Sequence, residues 1–465
     1  MIIVGPAHRV TYMASSYPRD LAIRLLRHLH QVGRRPPPLL SLTRLFEVAY
    51  FASMRRDESR PCTCTLVFMD PKHPDPDPPL VRPQRGSLFP FENRVALTAA
   101  SLAKLAQAAP RYSAALAVFA DAAHRPFAWG MFDQELHFES NIHFEGEVSF
   151  GRPGVFQLQI TGQGALTVYD EKYLIATLRQ DSIAPGQIDV FSHGPVNRCF
   201  RPFVRHHMRS VRNILRREAV RPGPFDLKTA AETWTDGLRR LLLAIRRQGH
   251  GGALLLLPRL NWAGLRPKYV LQYRKLATVL ALRSASRLIA YRTGQDIIED
   301  YLDPGLDTVP ADLYLKESIA KTDESDAISA EAGCATFVAG LSRIDGLVLA
   351  TGNLAIQAFG VEITTREEPP RVHLATTATA QPASLRSFAI DSLGTRHRSM
   401  MRYCWAYPGS VGFVVSQDGD VRAVLRDGRR LLVWDNVRIQ RLEPSPPSWK
   451  ARRAMFASWR QKHHA

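Results

Sequence analysis

The chain has 465 residues, 45% hydrophobic and 22% charged, which is ordinary for a soluble globular protein and supplies at least two cores. Lys and Arg number 61 against 43 Asp and Glu, so the net charge of +18 favours polyanions: nucleotides, nucleic acid or an anionic surface. Five sparse cysteines, Cys62, Cys64, Cys199, Cys334 and Cys404, exclude a disulfide framework, and no apolar run approaches the ~20 residues of a membrane helix.

The opening MIIVGPAHRV lacks a basic region followed by a long apolar core, which argues against a signal peptide and for a cytoplasmic location. Helical spacing of apolar residues predicts helices over 18–32 and 41–54, broken by Arg34-Arg35-Pro36-Pro37-Pro38. A strand is expected at 65–69, a proline-rich extended loop over 70–90 and a helix over 95–108. From about 113 the period shortens. Strands are expected at 114–120, 127–132, 136–144, 155–161, 166–169 and 173–178, mostly antiparallel. The histidines His124, His137 and His143 are scattered among them and form no metal-binding pattern.

Residues 203–219 read as a basic amphipathic helix with Arg205, Arg209, Arg212 and Arg216 on one face. Pro222-Gly223-Pro224 then breaks the chain and marks an expected domain boundary near 222. Asp226 caps a helix to about 247, and the continuous apolar run 253–257 has the pattern of a buried central strand. Helices are expected at 268–282 and 311–342, and strands at 346–350 and 354–363. A helix at 399–407, a strand at 410–415 and a hairpin around Asp427-Gly428 follow. The tail 438–465 is basic. The expected organisation is a mainly antiparallel α+β region over 1–222, a mixed-sheet α/β domain flanked by helices over 223–437, and the tail.

Three segments of the second region carry chemistry. Asp345-Gly346-Leu347 places a carboxylate at a strand mouth, where it can hold Mg²⁺ or Mn²⁺ or take a proton from a hydroxyl. Gly394-Thr395-Arg396-His397-Arg398 precedes a helix, so free amides, two guanidiniums, an imidazole and a hydroxyl gather as donors to phosphate. Val415-Ser416-Gln417 ends a strand with two polar side chains.

In order and spacing, these segments resemble the diadenylate cyclase (DAC) domain, including the DNA-integrity-scanning type. Asp345-Gly346-Leu347 resembles its Asp-Gly-Ala motif, Phe359-Gly360-Val361 its next strand and Gly394-Thr395-Arg396-His397-Arg398 its Gly-Thr-Arg-His-Arg motif. Val415-Ser416-Gln417 resembles its Val-Ser-Gln strand end, and Gly252-Ala253-Leu254 its opening strand. The resemblance covers residues 250–435. It implies a nucleotidyltransferase that condenses two ATP into cyclic di-AMP across two facing domains, and hence a homodimer or higher oligomer. It also implies a role for Asp345 at the metal and the attacking hydroxyl. Arg396, His397, Arg398 and Thr395 would hold phosphates, Gly346, Leu347 and Gly394 would lie against the nucleotide, and Ser416 would make a further contact. Some family members carry an N-terminal sensor, which residues 1–222 would match by position. Two departures stand out: Leu347 replaces alanine, and no carboxylate occurs around Cys404, Trp405 and Ala406 in the helix. They leave open a second reading, a DAC-like nucleotide sensor without turnover. A third reading, a nucleic-acid-binding protein, rests on charge alone and lacks a recognition motif.

Overall fold

Proline breakers and apolar spacing build the first helices. The computed structural model describes residues 16–57, 60–72, 88–109, 114–133, 155–170, 173–185, 187–220, 223, 226–302, 308–388, 390, 393–417 and 419–439. α1 (Pro18–Gln31) has proline in its first turn, where no backbone donor is missed, and Asp20 accepts the Tyr17 amide at 2.8 Å. Leu21, Leu25 and Leu29 recur on its buried face. α2 (Leu39–Ser53) starts after Pro38 and buries Leu42, Leu45, Phe46 and Ala49.

The strands that follow are β1 (Arg56–Asp57), β2 (Arg60–Pro61), β3 (Cys64–Phe68) and β4 (Leu88–Ala96). Beyond α3 (Ala99–Ala108) come β5 (Ala114–Ala120), β6 (Pro126–Asp133), β7 (Phe156–Gly162), β8 (Ala165–Asp170), β9 (Tyr173–Arg179) and β10 (Ser182–Pro185). Eight of them form one sheet in the order β10-β9-β8-β7-β3-β5-β6-β4, antiparallel except for the β3/β5 pair. Residues from α1, α2 and α3 pack with Leu66, Phe156 and Leu158 of this sheet in one apolar cluster. The antiparallel character follows the sequence reading. Two boundaries differ. β4 occupies part of the expected loop, and α3 starts only after Thr98, whose hydroxyl accepts the Ser101 amide at 3.1 Å. The strand expected at 136–144 lies outside the described residues.

Among the described residues the chain passes from one compact unit to a second between Pro185 and Gln187. The second unit begins with α4 (Pro195–Cys199), α5 (Arg201–Arg217) and α6 (Asp226–Arg247). β11 (Gly252–Leu257) and β12 (Leu265–Tyr273) lead to α7 (Lys275–Ile297), which ends in a π-helical turn, and then to α8 (Ala311–Leu341). β13 (Leu347–Thr351), β14 (Ala355–Ile363), β15 (Val372–Ala375) and β16 (Leu385–Ser387) precede α9 (Thr395–Ala406). β17 (Val411–Val415), β18 (Val421–Asp427) and β19 (Arg430–Trp434) complete a nine-stranded mixed sheet, ordered β12-β14-β13-β11-β17-β18-β19-β15-β16. β11/β13 and β15/β19 are its parallel pairs.

Strand alternation divides this sheet's side chains between two layers. Leu254, Leu256, Val348 and Phe413 share one cluster with α6 residues such as Trp234 and Leu238. Ala253, Leu255, Leu349 and Val414 share the other with Met400, Met401 and Tyr403 of α9. A strand covered on both faces has no polar side, which explains the unbroken apolar run 253–257. The α/β class expected from the sequence is the one observed. One element is corrected: 268–273 is strand, and the helix begins at Lys275. Strand β12 sits at the sheet edge, and its polar, exposed residues hid its period.

α5 buries Met208, Val211 and Leu215 against Ala281, Ala285 and Leu288 of α7, while Arg205, Arg209, Arg212 and Arg216 are exposed, as their spacing predicts. His207 is fully buried and shares a 2.9 Å hydrogen bond with Ser284. Burial, then the neighbouring His206, pushes its pKa down to about 4. A depressed folded-state pKa stabilises the fold above pH 6.5, and this contribution is lost as pH falls toward 4. Urea unfolding is expected to show a fall of roughly 2–3 kcal/mol from this residue between pH 7.5 and 4.5. His207→Asn should flatten that part of the profile, and an unchanged profile in the variant would refute the assignment. No helix among the described residues is long and apolar enough to cross a membrane.

Candidate functional site at one end of the mixed sheet

Register brings the three sequence segments to one end of the second sheet. β11 and β13 run parallel with Leu254 beside Val348, so two residues earlier Gly252 comes level with Gly346. β17 runs antiparallel to β11 and pairs Val415 with Gly252. β18 pairs Val421 with Val415, and β19 pairs Trp434 with Ala423. The starts of β11, β13 and β18 and the ends of β17 and β19 therefore share one edge of the sheet.

α9 lies across the same end. It packs on β17 and β18, with Met400 against Gly412, where an added Cβ would lie 2.3 Å from its sulfur. The short turn to β17 makes α9 run counter to that strand, so its N-terminus returns to the edge holding Gly252 and Gly346. Arg396 Nη1 is 3.2 Å from the place a Cβ on Gly251 would occupy. The helix thus begins at Thr395, inside the pentapeptide, rather than at the expected 399. Gly394 is its N-cap and offers no side chain to cover the first-turn amides.

Two glycines have a conformational reason to be there. Gly251 has φ +67, and a Cβ there would meet the Val415 carbonyl at 2.9 Å. Gly346 has φ +123, with a Cβ only 2.5 Å from the backbone of Gly360. Asp345 is exposed at this turn, and its carbonyl accepts Lys268 Nζ at 3.4 Å. Leu347 points the other way, 4% exposed, into the cluster beneath α9. Leu347, where the resembled motif has alanine, therefore fills core space.

The basic groups differ in environment. Thr395 is exposed, and Arg396, His397 and Arg398 are half-buried. His397 Nε2 and Arg398 Nε are buried without a hydrogen-bond partner among the described residues. Burial, reinforced by the charge of Arg422, pushes the His397 pKa down to about 4, against the opposing pull of Asp435. The imidazole is therefore neutral at pH 7. Arg422 Nε is itself bonded to Asp435 Oδ1. Ser416 is engaged locally: its hydroxyl accepts the Asp420 amide at 3.0 Å and its amide donates to the Asp420 carbonyl at 2.8 Å, closing the β17–β18 turn.

Sequence reasoning missed Gly251, Lys268, Arg422 and Asp435. Arg422 carried a signal. It alternates with Val424 on the face that packs under α9, and a cation on an otherwise apolar face demands a partner. It also missed the acids near α9. Glu367 accepts Trp405 Nε1 at 2.9 Å and Glu368 accepts Arg402, so the loop before β15 brings carboxylates to this helix. No cluster of three or more His, Cys, Asp or Glu fit for a metal occurs among the described residues. A lone exposed Asp345 fits Mg²⁺ or Mn²⁺ shared with phosphate oxygens and water, which is how these hard cations are commonly held beside nucleotides.

In comparisons with known proteins, no curated protein matches the chain. No solved structure matches it either. Residues 32–133, from α1's end to β6 in the first unit, match the family described as probable sensor domain DACNV.

Proposed function

We propose that the second unit binds ATP at the α9 end of its sheet and, in pairs, condenses two ATP into cyclic di-AMP under control of the N-terminal region, read from the sequence as 1–222. The observation that carries this is the convergence of the uncapped α9 N-terminus, Arg396, His397, Arg398 and Arg422 beside Gly251 and Gly346. A triphosphate needs dense donors, positive potential and glycine backbone that allows close approach. A sensor domain of the type associated with diadenylate cyclases in the same chain supports the reading.

Arg396 and Arg398 hold phosphate oxygens, and Thr395 adds its hydroxyl and amide. His397, neutral in the free protein, donates or accepts one hydrogen bond. Ser416 keeps the β17–β18 turn in place beside them. Asp345 would hold Mg²⁺ or Mn²⁺, which would neutralise phosphate charge, and it receives the proton of the attacking hydroxyl. The 3′-oxygen of one ATP forms a bond to the α-phosphorus of the other, the bond to the β-phosphate oxygen breaks, and pyrophosphate leaves. The reciprocal event closes the ring. Catalysis is positioning and charge neutralisation, and it requires a second copy of the chain facing the first.

Titration calorimetry with ATP and Mn²⁺ tests the binding step. The wild type is expected to bind, and Arg422→Ala to bind about tenfold more weakly, the effect of removing one charged donor. Unchanged affinity in that variant would remove Arg422 from the site. A second reading, binding without turnover, is favoured because no cluster of acids fit for a metal occurs among the described residues, and it predicts ATP binding with no pyrophosphate release.

A further inference from the structure

We propose that residues 187–191, the first described residues of the second unit, are the output arm of the sensor-bearing first unit and govern the α9 end of the sheet by clasping residues 436–438. The proposal rests on the reading that this end binds a nucleotide, and it names the site's regulation.

The chain enters the second unit through a single β-bridge. Ile188 donates its amide to the Asn436 carbonyl at 3.0 Å and accepts the Arg438 amide at 2.9 Å, in a parallel bridge with Val437. Val437 in turn donates to the Val421 carbonyl at 2.8 Å. Asp189 then fixes the segment. Its two oxygens accept Arg239 Nη2 from α6 at 2.8 Å and Arg438 Nη2 at 2.9 Å. Both arginines are at least three-quarters buried, with Arg239 10% and Arg438 24% exposed, so these pairs are poorly screened. The Arg239 guanidinium lies 4.5 Å from the Phe191 ring centroid, and Phe191 stacks on Phe413 of β17 at 5.8 Å.

The clasped residues adjoin the site. Asp435 immediately precedes Asn436, and it holds Arg422 beside His397. Asn436 has φ +53, a left-handed conformation that asparagine adopts more readily than other non-glycine residues and that its surroundings help to hold. The hydrogen bond from Ile188 is one such hold. Pulling residues 187–189 away removes the bridge that fixes 436–438, loosens Asn436 and frees Asp435 from the angle at which it meets Arg422. A local event in the first unit thereby changes the charge presented beneath the α9 N-terminus. The covalent link at residues 186–187 is all the connection between the units that this route needs.

Hydrogen–deuterium exchange on the full chain without nucleotide tests the route, comparing wild type, Asp189→Asn and the milder Arg438→Gln. Asp189→Asn is expected to raise exchange at least threefold at 187–192 and 436–438 and also at 397–402 of α9, while residues 327–338 of α8 stay protected. Arg438→Gln is expected to do the same to a smaller degree. A rise confined to 187–192 and 436–438, or no rise at all, would overturn the proposal. ATP affinity measured with Mn²⁺ is expected to change at least fivefold in Asp189→Asn, the usual scale of coupling between two sites. Failure of the wild type to bind ATP would sink the nucleotide reading, while the exchange result would still decide the clasp.

Discussion

Arg396→Ala is expected to weaken ATP binding by roughly 10- to 150-fold, the loss of one charge-assisted donor worth about 1.5–3 kcal/mol. The guanidinium is half-buried and reaches the left-handed Gly251, so it bridges the α9 N-terminus and the start of β11. Arg396→Lys should recover only part of the loss, because a lysine keeps the charge but not the planar fork. Melting temperature serves as the control, since a half-buried cation amid other cations contributes little to the fold. An affinity within twofold of wild type would show that phosphate does not sit at this edge.

The second large effect concerns stability. Glu331→Ala is expected to cost about 3–5 kcal/mol in urea unfolding. Glu331 of α8 is fully buried, and its Oε2 lies 2.9 Å from Arg240 Nη1 of α6 and 2.9 Å from Arg283 Nη1 of α7. One carboxylate thus ties three helices together. Its removal takes from two guanidiniums in the core the charge they share, and with it much of the offset to their desolvation. Glu331→Gln keeps the shape and one acceptor, so it should fall between. A loss below about 1 kcal/mol for the alanine variant would mean that neighbouring groups or water take over the arginines.

Much of the architecture was legible in the sequence because periodicity follows burial. The run 253–257 announced a central strand, Asp427-Gly428 announced the β18–β19 turn, and the arginine spacing at 205–216 gave an exposed helix face. Edge strands were harder. β4 and β12 keep many side chains in water, so selection for alternation is weak, and one was read as loop and helix and the other as helix. The site was legible where its chemistry is local. The pentapeptide combines glycine, cations and a helix start in five residues, so its reading needs no tertiary information. Arg422 and Lys268 lie on other strands and Asp435 just past the end of β19, and they join it only through register, which a single sequence does not reveal. The buried Glu331 is a similar case: within a long helix it resembles any solvated acid until α6 and α7 supply its arginines.

The most direct measurement of the central claim is mass spectrometry of the products formed from ATP and Mn²⁺ by the full chain, beside Asp345→Asn. Asp345 is exposed at the Gly346 turn, outside the core, so the variant should fold as the wild type does. The account predicts cyclic di-AMP and pyrophosphate from the wild type and neither from the variant. Failure of the wild type to form any cyclic dinucleotide while it binds ATP, or equal product from both proteins, would contradict it.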